Sequence, residues 1–128
     1  MNPYIAPGII TSRRVSFDEI ESCVLDIFGI EREVMYRRTR KLESSRPRKV
    51  FSFIARTQGY SLEHLSLKLG IDHSTVVYNT KRICDELDVM PDTRKMIRTI
   101  ADRLDLDYSE LLQYKPNKYD HESNQIAD

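Results

Sequence analysis

Glycine and proline are scarce in this 128-residue chain, at 4 and 5 residues, and no apolar run approaches the roughly 20 residues that a membrane span requires. Few turn-formers beside 40% hydrophobic and 31% charged residues exclude collagenous, low-complexity and barrel-like architectures. They predict a soluble, mostly helical protein. The first residues, Met1-Asn2-Pro3-Tyr4-Ile5-Ala6-Pro7-Gly8, lack a basic patch followed by a long apolar stretch, so a secretory signal is not expected and a cytoplasmic address is. The length allows one domain with one core, or one domain and a tail.

Cysteine is nearly absent too. Cys23 and Cys84 stand alone, each on the apolar side of a predicted helix, and read as small buried hydrophobes. His64, His73 and His121 form no i, i+4 pair, which argues against a zinc site; no metal or cofactor is expected.

Net charge is missing as well, since 20 Lys and Arg balance 20 Asp and Glu. The balance is local imbalance averaged away. Residues 1–84 hold 14 basic against 9 acidic residues and residues 85–128 hold 6 against 11. Arg37, Arg38, Arg40, Lys41, Arg46, Arg48 and Lys49 place seven positive charges within thirteen residues, opposed only by Glu43. Clustered charge of this kind suits phosphate binding; a solvated surface is the ordinary alternative.

Along the chain, Ser16 and Glu19 form a capping box ahead of Ile20, Cys23, Val24, Ile27 and Phe28 at helical spacing, and Gly29 ends that helix. A helical turn is expected over residues 31–36 with Val34 and Met35 inward. Pro47 suits the first turn of the next helix, whose buried side is marked by Val50, Phe53, Ile54 and Thr57. Ser61 caps a helix carrying Leu62, Leu65 and Leu69, and Gly70 stops it. Asp72 then caps a helix with Val76, Thr80, Ile83, Cys84 and Leu87 inward and Ser74, Thr75, Tyr78, Lys81 and Arg82 outward. Two helices joined by a short glycine-containing turn form a helix-turn-helix or an ordinary helix hairpin. Pro91 and Asp92 begin a further helix with Met96, Ile97, Ile100 and Leu104 as its stripe, and Leu106 to Tyr114 can add a short turn. The expected organisation is an N-terminal arm at 1–14, a domain at 15–105, a helical extension at 106–114 and a flexible acidic tail at 115–128.

The stretch Ile71-Asp72-His73-Ser74-Thr75-Val76-Val77 resembles the Asp-His-Thr-Thr-Val signature of domain IV, the C-terminal DNA-binding domain of the bacterial replication initiator DnaA. Ordered agreement runs from about Val15 to Leu104. It includes the first helix, Ser44-Ser45-Arg46-Pro47-Arg48 where the family has a small residue before Arg-Pro-Arg, Ser61-Leu62, and Lys81-Arg82-Ile83. The resemblance implies an all-α, multi-helix, TrpR-like fold with a helix-turn-helix whose second helix enters the major groove while the basic loop reaches the minor groove. By matching position it assigns base contacts to Arg40, Asp72, His73, Ser74 and Thr75. Phosphate contacts fall to Arg46, Arg48, Lys49, Arg56, Ser61 and Lys81, and the remaining loop cations Arg37, Arg38 and Lys41 join them. The chemistry fits, because Asp accepts from a cytosine amino group, Thr methyls touch thymine methyls, and a guanidinium favours a narrow A·T minor groove.

Gly70-Ile71 is one residue shorter than the family's usual lead and lacks its basic residue, the loop between Arg56 and Ser61 is one residue short, and Ser74 replaces the first Thr of the signature. These departures bear on the target sequence. The chain contains no Gly-x-x-x-x-Gly-Lys-Ser/Thr phosphate loop. The expectation is therefore a stand-alone, nucleoid-associated binder of initiator-box-like duplex sites with no ATPase and no small-molecule substrate. A protein-interaction adaptor that keeps the fold and uses its acidic C-terminal part to hold another protein is the alternative. A hydrolase built on Asp72, His73 and Ser74 is rejected, because consecutive helical residues point about 100° apart.

Overall fold

The computed structural model describes residues 15–116, and among these the only regular elements are seven helices. The expected arm at 1–14 and all but the start of the expected tail lie outside the described residues. In chain order the helices are α1 (Phe17–Phe28), α2 (Arg32–Tyr36), α3 (Leu42–Thr57), α4 (Leu62–Leu69), α5 (His73–Val89), α6 (Pro91–Arg103) and α7 (Tyr108–Gln113). None is long and apolar enough to cross a membrane.

Local sequence sets most of the boundaries. The capping box forms in both directions: the Glu19 amide donates to Ser16 Oγ at 3.2 Å and the Ser16 amide donates to the Glu19 carboxylate at 3.4 Å. Gly29 ends α1 in the left-handed region at φ 62°, a conformation that strains other residues. Ser61 Oγ accepts from the His64 amide at 3.1 Å and opens α4. Pro91 sits at the first position of α6, where its missing amide leaves no bond unmade.

The centre of the domain is α3, whose two principal neighbours are α5 and α1. Val50, Phe51, Ser52, Phe53, Ile54 and Ala55 are all buried, so this stretch is covered on every side and not on one stripe as its spacing predicts. Ser52 is accommodated by donating its hydroxyl to the Arg48 carbonyl at 2.8 Å. A second correction concerns Pro47. The helix begins at Leu42, so Pro47 lies in its interior, and the intrahelical bond to the Glu43 carbonyl cannot form.

Ile20 and Val24 of α1, Met35 of α2, Leu65 of α4, Val76 and Ile83 of α5 and Ile97 and Ile100 of α6 complete the core. Phe17 stacks on Tyr60 with ring centroids 4.1 Å apart, and the Tyr60 hydroxyl donates to the Val15 carbonyl at 2.8 Å. Together these contacts tie the start of α1 to the end of α3. The buried carboxylate of Glu21 accepts from the Tyr36 hydroxyl and faces Arg32 at 3.3 Å and Lys68 at 3.5 Å, joining α1, α2 and α4. Cys23 and Cys84 are buried free thiols, and burial pushes both up, Cys84 to about 11.

Candidate nucleic-acid interface

Helices α4 and α5 meet through Gly70-Ile71-Asp72. Gly70 takes φ 67°, its amide donates to the Ser66 carbonyl at 2.8 Å, and the Ile71 amide shares that acceptor at 3.2 Å. Ser66 closes the turn from the other side by donating its hydroxyl to the Ile71 carbonyl. Asp72 occupies the N-cap position of α5, yet its side chain makes no capping bond, contrary to the expected cap. Its exposed carboxylate stays free for another donor.

The face of α5 is divided as its periodicity predicts. Val76, Thr80, Ile83, Cys84 and Leu87 are buried, whereas Asp72, His73, Ser74, Thr75, Tyr78, Lys81 and Arg82 are exposed. The first turn of α5 therefore presents the Asp72, His73, Ser74 and Thr75 side chains to solvent at a helix N-terminus, whose positive dipole end suits anions.

The basic segment sorts into three groups. Arg38, Arg40 and Lys41 are exposed, and Arg37 is exposed with only a 3.6 Å pairing to the equally exposed Glu43. Arg38 lies over the helix-turn-helix turn, its guanidinium 3.6 Å from where a Cβ on Gly70 would stand. Lys49 is half-buried at the edge of α5, its ammonium 6.0 Å from the centre of the Tyr78 ring.

Arg46 and Arg48 depart from the phosphate role that the resemblance assigns them. Arg48 is 9% exposed, and its guanidinium donates to the carbonyls of Met35 and Arg37, each at 2.7 Å, and to that of Thr39. A buried group with three of its five N–H donors on three loop carbonyls holds the loop in shape. Arg46 forms a bidentate pair with the buried carboxylate of Glu86, at 2.9 Å and 2.7 Å, and donates to Thr93 Oγ1 at 3.1 Å. Burial by itself pushes the Glu86 carboxyl up, but hydrogen bonds from Arg46 and Thr93 and the charges of Arg46 and Arg82 leave it below its ordinary value.

The clamp by Arg48 ties the basic segment to α3, alongside α5. Between the segment and α5 runs a groove of about 690 Å³ lined by Arg37, Arg38, Thr39, Arg40 and Lys49 on one side and by Gly70, Ile71, Thr75, Tyr78 and Asn79 on the other. Cations from the loop thus share one concavity with Thr75, Tyr78 and Asn79 of α5.

A family model described as the bacterial dnaA protein helix-turn-helix matches residues 17–83, from the start of α1 to Ile83 in α5. The chain belongs to that family. Similar relatives are chromosomal replication initiator proteins DnaA: that of Chloroflexus aggregans is 29% identical over 96 residues, covering 73% of this chain and 20% of the relative. Those of Paraburkholderia phymatum and Burkholderia multivorans are each 32% identical over 79 residues, covering 60% of this chain and 15% of the relative. The chain thus spans a fifth or less of the length of these DnaA proteins. No solved structure matches it significantly.

Within the matched dnaA helix-turn-helix region, the assigned residues Lys41, Arg46, Arg56, Ser61, Asp72, His73, Ser74 and Lys81 fall outside the groove's lining. Arg56 is half-buried at the end of α3 and donates to the Tyr60 carbonyl at 2.7 Å. Ser61 is exposed with its oxygen used as the α4 cap, and Lys81 is exposed on α5. Asn79 and Ser66 went unselected in the sequence because polar residues on an apolar helical face carry no pattern of their own; for Glu86 the i,i+4 spacing from Arg82 was a legible signal, but its other partners, Arg46 and Thr93, lie 40 residues upstream and 7 downstream. Among the described residues no His, Cys, Asp and Glu side chains gather into a set able to hold a metal ion.

Proposed function

We propose that this chain binds double-stranded DNA sequence-specifically at initiator-box-like sites and acts there as a replication-related or transcriptional regulator, with no catalytic step of its own. The observation that carries the reading is the shared groove, in which exposed Arg38 and Arg40 lie beside the first turn of α5. Major-groove reading falls to Asp72, His73, Ser74 and Thr75: the free Asp72 carboxylate accepts from a cytosine amino group, and the Thr75 methyl meets a thymine methyl. Arg40 enters the adjacent minor groove, and Arg37, Arg38, Lys41, Lys49, Ser61 and Lys81 hold phosphates. Arg56, bonded to the Tyr60 carbonyl, is left out of this set.

The test is a titration of box-containing and scrambled duplexes with the chain and with His73→Ala. The chain prefers the box, and neutralising four to six phosphates gives a log–log salt slope of about −4 to −5. His73→Ala narrows the preference by about 1–3 kcal/mol, the ordinary worth of a direct base contact. A salt slope near zero removes DNA as the ligand, and an undiminished preference in a folded His73→Ala variant removes His73 from the reading set.

A further inference from the structure

The seam between α3 and α5 carries a cluster that a phosphate contact at Arg46 does not explain. Glu86, only 5% exposed, collects both terminal nitrogens of Arg46, the Nε of Arg82 at 3.1 Å and the Thr93 hydroxyl at 2.8 Å. Lys49 faces the same seam. Burial and the positive charges of Arg46, Arg82 and Arg48 push its ammonium down, with Glu86 opposing. Three cations, Arg46, Arg82 and Lys49, therefore surround one carboxylate, and that carboxylate is already bonded by Arg46, Arg82 and Thr93.

The two arginines are used differently. Arg46 is three-quarters buried and turns its terminal nitrogens inward, whereas the Arg82 side chain is 51% exposed and gives Glu86 only its Nε. Both terminal nitrogens of Arg82 keep their hydrogens without a partner among the described residues. A guanidinium anchored through Nε and open at its outer fork is preorganised for two-point contact with a phosphate, because the rotamer freedom that binding would remove is already gone. Arg82 lies one helical turn beyond Tyr78, whose ring stands beside the Lys49 ammonium, so the fork and the ammonium border the same strip of surface.

We infer that Arg82, together with Lys49, forms a phosphodiester clamp beside the reading face of α5, and that buried Glu86 is the positioning residue that aims the Arg82 fork outward. The inference rests on the proposed duplex binding and adds to it a contact and a supporting carboxylate. It also makes a counter-intuitive demand. Counting charge alone, removal of a carboxylate from a DNA-facing seam tightens binding; if Glu86 aims the clamp, its removal loosens binding.

The experiment titrates the full chain, Arg82→Ala and Glu86→Gln against box-containing and scrambled duplexes between roughly 50 and 200 mM salt, with circular dichroism of each variant alongside. Arg82→Ala is expected to weaken both duplexes by the same factor, and to reduce the salt slope by about one, as a lost phosphate contact does. Glu86→Gln, close in shape but uncharged, is expected to weaken both duplexes with a slope reduced in the same way. Glu86→Gln binding as tightly as the unaltered chain or more tightly overturns the positioning role, and an unchanged slope in Arg82→Ala overturns the clamp. If Glu86→Gln does not fold, the exposed Arg82→Ala substitution decides by its slope alone. An unaltered chain that binds neither duplex refutes the proposed function and this inference together, whereas tight binding by an unaffected Arg82→Ala refutes the inference only.

Discussion

Replacing Arg48 by alanine separates a loop clamp from a phosphate contact. In the folded chain its guanidinium donates to the carbonyls of Met35, Arg37 and Thr39, with the Met35 bond fully buried and the other two partly so. A hydrogen bond from a charged donor contributes about 1.5–3 kcal/mol, and a buried acceptor left unpaired costs about 1–3 kcal/mol. Water can reach the two outer carbonyls but not the inner one, so one full loss and two partial ones give about 2–4 kcal/mol of destabilisation. That is a large part of the 5–15 kcal/mol typical of a domain. Urea denaturation followed by helical circular dichroism reads it as a lower midpoint. Arg48→Lys recovers only part of the loss, since one ammonium cannot span three acceptors held in a fork. Basic-segment cations then lose their placement against α5, so box preference falls along with affinity. An Arg48→Ala variant with an unchanged urea midpoint, an unchanged box preference and a salt slope lower by about one would refute the clamp and return Arg48 to the phosphate set.

Arg40→Ala is expected to cost most on sites flanked by A·T pairs and little beside G·C pairs, because a narrow A·T minor groove deepens the negative potential and the guanine amino group obstructs the groove floor; equal losses on duplexes differing only in that flank demote Arg40 to a phosphate contact. Gly70→Ala is expected to destabilise the domain by about 1–2 kcal/mol, since alanine is strained at φ 67° whatever space surrounds it, and an unchanged thermal midpoint refutes this. The Glu86 carboxyl titrates below its ordinary value of 4.5, so its contribution is complete above that pH and is lost as pH falls through the lower folded value. Stability against pH is therefore expected to decline less steeply below about 4.5 in Glu86→Gln than in the unaltered chain, and parallel curves argue against the pairing.

Local chemistry was enough to write most of the helices. The Ser16–Glu19 box, the left-handed Gly29 and Gly70, the Ser61 cap and Pro91 at a helix start act within five residues, a range over which a sequence states its own hydrogen-bond partners. The division of α5 into buried and exposed faces was legible for the same reason, and the Asp-His-Ser-Thr-Val stretch with its surrounding order pointed to the dnaA helix-turn-helix family. Tertiary structure alone decided what the basic residues do. Arg37, Arg38, Arg40, Lys41, Arg46, Arg48 and Lys49 are equivalent as counted charges, yet packing sends Arg48 back 9–13 residues to three carbonyls and Arg46 forward 40 residues to Glu86, and leaves Arg38, Arg40 and Lys41 at the surface. It also turned α3 from a one-sided helix into the covered centre and placed Pro47 within it, because burial on all sides depends on how many neighbours assemble around a helix, which its own periodicity does not encode.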